Sequence, residues 1–322
     1  MFQGMSVKSE LEAWWKAKGT AFSGELKWSE PLSRYTYYQI GGPATLLAIP
    51  RSEADIELIA QCLGVTGVKH FVLGAGSNLL ISDDGFDGIV IRTAKTNIDV
   101  RRRVKNGEHE NLIEAGGSAM ISSVLRRAVQ DGWGGLEFLA GVPGTIGGAV
   151  KMNAGTHLGE TQSRLRKVTA ALLSAPLTWA EYSGEDLKFQ YRKNLFLPAE
   201  AIVWSTVWEI TPEEPRVVKA RVDETLARRK QTQPVDFPSC GSVFKNPKES
   251  GLSAWQVIDK LGLRGHRIGN AQIAEKHSNF IINLGGARAR DVYGLIELVK
   301  KRAQSELGIM MQEEVIWVGP GL

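Results

Sequence analysis

The sequence predicts a chain of about two globular domains in which helices and short strands are mixed. Three observations carry that expectation. At 322 residues the chain exceeds the roughly 100–200 residues of a single domain. Its 43% hydrophobic and 23% charged residues are ordinary globular usage, unlike a disordered chain or a coiled coil. Apolar positions follow a 3.6-residue period in some windows and form short runs bounded by Gly, Pro and Asp in others.

The first helix is expected from Ser9, where Ser9 and Glu12 form a capping-box pair and Leu11, Trp14 and Trp15 supply an apolar face before Gly19. Met1-Phe2-Gln3-Gly4, ahead of Met5, carries no weight in the fold. Residues 44–49 read as a strand, and Ser52 opens a helix with Ile56, Ile59 and Leu63 on one side, ended by Gly64. Short strands follow at residues 71–73, 88–91 and 111–114, separated by glycine- and aspartate-rich turns. Ser118 is expected to cap a helix through Ile121, Val124, Leu125 and Ala128 that Gly132 stops.

Residues 134–159 read as a glycine-rich loop, followed by a β stretch at residues 201–204 and 207–210. Pro212 and Pro215 mark the domain boundary, before a helix through Leu226. Beyond it the pattern predicts a β segment at residues 242–244, a helix at 255–261 and a strand at 280–282. A long helix through Val292, Leu295, Ile296 and Val299, closed by Gly308, and a last strand at 315–318 complete the chain.

Composition bounds the function. The net charge of +4 is too mild to call for nucleic acid, and no apolar run approaches the ~18 residues of a membrane helix. Neither a membrane nor a nucleic-acid partner is therefore expected. The N-terminus shows no secretory pattern, so the expected location is cytoplasmic. Two cysteines, Cys62 and Cys240, make no disulfide framework, and the five histidines show no metal spacing. Arg101-Arg102-Arg103-Val104-Lys105 and Arg228-Arg229-Lys230 read as solvated faces.

Glycine is the outlier, at 35 residues against a usual ~7%. Gly74-Ala75-Gly76-Ser77-Asn78 follows a predicted strand, as a Rossmann fingerprint would, but Leu79 stands where the third glycine belongs and residues 80–85 do not read as a helix. No Gly-x-x-x-x-Gly-Lys-Ser/Thr occurs, which excludes a Walker A loop. What remains is that loop, Gly141-Val142-Pro143-Gly144-Thr145-Ile146-Gly147-Gly148-Ala149, and Gly41-Gly42-Pro43. Unhindered backbone N–H groups in such loops can turn inward on a diphosphate without any lysine.

These segments resemble the UDP-N-acetylenolpyruvoylglucosamine reductase family, the UDP-N-acetylmuramate dehydrogenases of peptidoglycan synthesis. The likeness runs from about Leu32 to Gly319. It is carried by the three glycine loops, Tyr191-Arg192, Gly241-Ser242-Val243-Phe244-Lys245-Asn246-Pro247 and His277-Ser278-Asn279-Phe280. The resemblance implies an α+β protein, with a two-subdomain FAD-binding domain of the vanillyl-alcohol-oxidase type over residues 31–213 and a smaller α+β substrate-binding domain over 214–322, behind an N-terminal extension of residues 1–30. FAD would be held non-covalently by Gly41, Gly42, Gly74, Ala75, Gly76, Ser77, Asn78, Leu79, Gly141, Val142, Pro143, Gly144, Thr145, Gly147, Gly148 and Ala149.

NADPH would reduce the flavin, and flavin N5 would pass hydride to the enolpyruvyl methylene carbon of UDP-N-acetylglucosamine enolpyruvate, giving UDP-N-acetylmuramate. The resemblance makes Ser242 the proton donor to the adjacent carbon, and Arg192 and Glu314 the groups that stabilise the enolate. Tyr191, Lys245 and Asn246 would touch substrate. A monomer acting on small molecules is expected.

The chemistry suits these residue types: Arg192 is always charged and forks onto carboxylates, whereas Ser242 needs a polarising neighbourhood to act as an acid. Each also has a plainer reading, Arg192 as a surface residue after Tyr191, Ser242 as a turn residue, and Glu313-Glu314 as a solvated acidic pair. Cys240 is expected to be a buried small hydrophobe and His277 a structural histidine. The chain departs from the family's pattern at Asn194, at Ala274 and at Gln312, and it resembles the shorter form without an inserted tyrosine loop. Two other functions stay open at this point: an FAD-dependent sugar or alcohol oxidase, and a flavin-binding sensor without turnover.

Overall fold

The computed structural model describes residues 6–105 and 108–320. Met1-Phe2-Gln3-Gly4 and Met5 lie outside the described residues. The chain divides into two compact units. The first gathers Met1–Trp28, Thr45–Ala75 and Gly88–Ala227, and the second Ser29–Ala44, Gly76–Asp87 and Arg228–Leu322. No helix among the described residues is long and apolar enough to cross a membrane.

The first unit is built on two sheets. One has the strand order Glu25–Pro31, Pro43–Ile49, Phe86–Arg92, His70–Leu73, with the last two parallel. Helices Val7–Lys18 and Glu53–Thr66 supply its cover, and Leu11, Trp15, Ile56 and Ile59 join Leu46, Ile89 and Ile91 in one core. Each such side chain contributes about 1.5–3 kcal/mol on burial. The second sheet is antiparallel, in the order Thr178–Ser183, Leu165–Leu172, Ile202–Glu209, Glu108–Gly116, Val100–Lys105. Helix Ile121–Asp131 buries the predicted face, Ile121, Val124, Leu125 and Ala128, in the same core as Trp133, Val168 and Trp208.

The second unit has an antiparallel sheet of Arg267–Ile268, Ala271–Ile273 and Ile281–Asn283. Helix Ala289–Leu307 carries its predicted stripe into the core, where Val292, Leu295, Ile296 and Val299 meet Val243, Phe244 and Ile281. Asp83 caps that helix, accepting from the N–H of Ala289 at 2.9 Å and of Arg290 at 3.2 Å. Leu79–Ile81 is a strand paired in parallel with Ile316–Val318, so the chain after Gly76 enters a strand and not the helix a Rossmann turn requires.

Five local expectations are corrected. The first helix starts at Val7 and its cap is Ser6, whose hydroxyl accepts from Ser9 N at 3.2 Å, one turn before the predicted Ser9–Glu12 box. The second helix runs through Gly64 to Thr66 and ends at Gly67, in the left-handed region. Gly64 answers to packing, since a Cβ there would lie 2.5 Å from that of Ala175. Ser118 does not cap the Ile121 helix; its hydroxyl meets that of Thr96 at 2.6 Å, buried in the same unit. Residues 134–159 are not all loop, for Ile146–Met152 is a helix capped by Thr145. The segment 242–244 holds one isolated bridge, Phe244 to Glu313, in place of a regular strand.

Candidate functional site

In the first unit the structure brings together the loops that start at Gly74 and Gly141. A Cβ on Gly74 would lie 2.9 Å from Thr145 Oγ1, so the first loop approaches the Thr145 side chain closely only because Gly74 has no side chain of its own. Thr145 in turn accepts from Gly148 N at 3.2 Å, setting the start of the Ile146–Met152 helix. A third loop, missed in the sequence, fixes the second: Gly117 O accepts from Gly147 N at 2.7 Å, Ala119 O from Ile146 N at 2.9 Å and Gly144 O from Ile121 N at 3.0 Å. The Gly116-Gly117 pair was the available signal. Loops held this closely by their own backbone are a cradle that any larger side chain would fill, which fits a dinucleotide cofactor better than a plain turn.

The second unit holds the rest of the predicted cofactor residues. Gly42 N donates to Ser82 O at 2.8 Å and Gly41 O accepts from Ser33 N at 3.1 Å. Gly76 sits at φ +68 with the Tyr35 carbonyl 2.3 Å from where a Cβ would be, so only glycine passes there. Asn78 ties this loop to the C-terminal strand: its Nδ2 donates to the Glu314 carbonyl at 2.9 Å, and its own carbonyl accepts from Ile316 N at 3.0 Å.

Arg192 occupies the turn of a two-residue hairpin between Phe189–Gln190 and Lys193–Asn194. Its φ of +56 is a conformation that such turns normally give to glycine. A non-glycine residue held there is strained, and that strain is characteristic of functional positions. Its guanidinium donates to Gly155 O at 2.9 Å, lies 3.9 Å from a Glu160 carboxylate oxygen and sits 5.0 Å over the Tyr191 ring. The side chain is only 17% exposed, which sets aside the plain surface arginine.

Ser242 lies on a segment clamped from both sides. Asn279 accepts from Phe244 N at 3.0 Å and donates to Phe244 O at 2.8 Å, while its own carbonyl accepts from Val243 N at 2.8 Å. On the other edge Glu314 N donates to Val243 O at 2.7 Å and Lys245 N to Gln312 O at 2.9 Å. The structure thus brings the Ser242 segment and Glu314 together. Within the acidic pair, Glu313 meets Lys300 at 2.9 Å on helix Ala289–Leu307. Asn246, proposed to touch substrate, accepts from Ala254 N at 2.9 Å at the head of helix Ala254–Lys260.

Cys240 is buried, and burial pushes its thiol up to about 12; the Tyr38 hydroxyl beside it donates to Ile281 O at 2.8 Å. No nucleophile is available in that form. His277 packs its ring on Phe280 at 4.9 Å, and burial holds its pKa below the ordinary value. The departures have structural occupants. Asn194 donates to Lys151 O at 2.8 Å and accepts from Leu197 N at 2.9 Å, bracing the Arg192 hairpin. Ala274 is buried, with its N–H on Phe280 O at 2.8 Å.

Comparison with known proteins adds a second line of observation. A family model described as the UDP-N-acetylenolpyruvoylglucosamine reductase C-terminal domain matches residues 233–318, and one described as an FAD binding domain matches residues 44–174. A UDP-N-acetylenolpyruvoylglucosamine reductase of Heliobacterium modesticaldum is 40% identical over 298 residues, covering 92% of this chain and 92% of that protein. One from Phenylobacterium zucineum is 38% identical over 306 residues, 95% of this chain and 99% of its own. Among solved structures, the UDP-N-acetylenolpyruvylglucosamine reductase (MurB) of Thermus caldophilus superposes with a TM-score of 0.73 at 34% identity, over 92% of this chain and 98% of that one.

Proposed function

The chain belongs to the UDP-N-acetylenolpyruvoylglucosamine reductase family and carries an FAD-binding domain, and from that premise we propose that it reduces UDP-N-acetylglucosamine enolpyruvate to UDP-N-acetylmuramate with NADPH as the electron source. The observation that carries the reading is the pair of chemistry-bearing residues outside the glycine loops: a strained, oriented Arg192 and a Ser242 held beside Glu314.

The flavin, when bound by the loops at Gly41, Gly74, Gly76 and Gly141 to Ala149, supplies the hydride that NADPH replenishes. One hydride reaches the enolpyruvyl methylene carbon and one proton the neighbouring carbon, so the double bond is consumed and NADPH is oxidised. Negative charge develops on the carbon beside the carboxylate as hydride arrives. Arg192, with its fixed positive fork, stabilises that charge. Glu314 does so by donating a hydrogen bond, which requires its carboxyl to be protonated in that step. Ser242 delivers the proton to the carbon. Tyr191, Lys245 and Asn246 contact the substrate, and residues 214–322 form its domain.

The test follows flavin colour. NADPH should bleach the purified FAD-loaded enzyme, and the enolpyruvyl substrate should restore the oxidised spectrum. Ser242→Ala should leave bleaching nearly intact and slow recovery by roughly 10²–10⁴-fold, the usual share of a general acid. No substrate-dependent recovery in the wild-type enzyme would overturn the reading. Recovery by O₂ with peroxide would point to an oxidase, and equal loss in both half-reactions would make Ser242 structural.

A further inference from the structure

Asn153 closes the Ile146–Met152 helix in the left-handed region, at φ +43, with its side chain fully buried. A residue there need only tolerate that conformation, and glycine does so at least as well. Asparagine brings more. Its Nδ2 donates twice, to the Glu160 carboxylate at 2.9 Å and to the Gln190 carbonyl at 3.1 Å, while its Oδ1 accepts from Gln162 N at 3.1 Å. Both acceptors lead to Arg192. Gln190 is the strand residue from which the hairpin turn Tyr191-Arg192 departs, and Glu160 sets its other oxygen 3.9 Å from the Arg192 guanidinium. Glu160 is further held by Gln162 Nε2 at 3.0 Å, and Asn194 anchors the far side of the hairpin on Lys151 O.

We propose that Asn153 is a positioning residue that fixes the Arg192 guanidinium for the reaction, through the Gln190 carbonyl and the Glu160 carboxylate. The proposal rests on the reading of Arg192 as an enolate-stabilising group. The chemistry is specific to an amide at this position. An aspartate has the same shape but offers no donor and sets a second carboxylate against Glu160. Glycine keeps the backbone and removes both donors without repulsion. A mere helix cap would be served equally by asparagine and glycine.

The experiment compares Asn153→Asp and Asn153→Gly with wild-type FAD-loaded enzyme by two readouts. The first is phenylglyoxal labelling of Arg192, resolved by peptide mass spectrometry with Arg288 as an internal reference. The second is turnover of the enolpyruvyl substrate. The expected result is at least threefold faster Arg192 labelling in both variants, with kcat down about tenfold for Asn153→Asp and two- to threefold for Asn153→Gly, at unchanged flavin content. Unchanged Arg192 labelling overturns the proposal whatever the turnover. Faster labelling with unchanged turnover upholds the placement of Arg192 by Asn153 and overturns the role of Arg192 in the reaction.

Discussion

The backbone N–H of Glu314 donates to the Val243 carbonyl at 2.7 Å, which seats Glu314 against the residue that follows Ser242. Glu313, one position earlier, is committed elsewhere: its carboxylate meets Lys300 Nζ at 2.9 Å. Hydrogen bonds from that amine to Glu297 and Glu313 hold the lysine above its ordinary range.

Two adjacent glutamates therefore make opposite predictions. Glu313→Gln removes one partner of a partly exposed ion pair, so the expected loss is at most about 1 kcal/mol of stability with turnover within about twofold of wild type. Glu314→Ala should leave the melting temperature nearly unchanged and lower kcat by roughly 10²-fold, as expected for loss of a hydrogen-bonding group at the developing charge, whereas Glu314→Gln, whose amide still donates, should lose less. Steady-state kinetics beside a thermal melt decides it, and a larger rate loss from Glu313→Gln would reverse the assignment.

Gly74→Ala tests the cradle. The new methyl would stand 2.9 Å from Thr145 Oγ1, which cannot stay there and also cap Gly148 N. If Thr145 turns away, the Ile146–Met152 helix loses its cap at about 1 kcal/mol, and the backbone of both loops shifts. The expected outcome is a lower flavin-to-protein absorbance ratio after dialysis and FAD affinity weaker by about tenfold. Full retention of flavin would mean that the close approach of the two loops does not serve the cofactor.

What the sequence made legible follows from local physics. The helix Ala289–Leu307 was readable because Val292, Leu295, Ile296 and Val299 repeat at helical spacing and Gly308 closes it in the left-handed region. The loop residues Gly74 and Gly141 to Ala149 were readable as a pattern of absent side chains. The helix Ile146–Met152 was not, because Gly147 and Gly148 each cost about 1 kcal/mol of intrinsic propensity, and the local Thr145 cap is supplemented by a tertiary contact to the Gly117 carbonyl. Asn153 escaped for a related reason, as did the clamping role of Asn279, a residue of a segment that carries the family resemblance. Their amides act on chain segments 37 and 35 residues away, and nothing in local sequence marks an asparagine that substitutes for backbone.

The two buried thiols predict the alkaline limit of stability. Burial pushes both Cys62 and Cys240 up to about 12, from an ordinary value near 9, so each stays neutral in the folded protein where the unfolded chain would ionise it. A raised folded value contributes stability that is fully present below about pH 9 and is lost as pH rises toward 12, on the order of 1 kcal/mol per pH unit for each thiol. Lys151 acts in the opposite sense. Burial lowers its amine to about 8 from an ordinary 10.5, so its contribution grows as pH rises between those values and partly offsets the thiols up to about pH 10.5. Denaturant midpoints should therefore change little between pH 8 and 9 and fall increasingly above pH 10. Cys240→Ala should flatten that fall whatever it does to the midpoint at pH 7. A thiol reagent should label neither cysteine in the folded protein at pH 8 and both after unfolding, so rapid labelling of native Cys240 would show that the packing around Tyr38 and Ile281 does not exclude water.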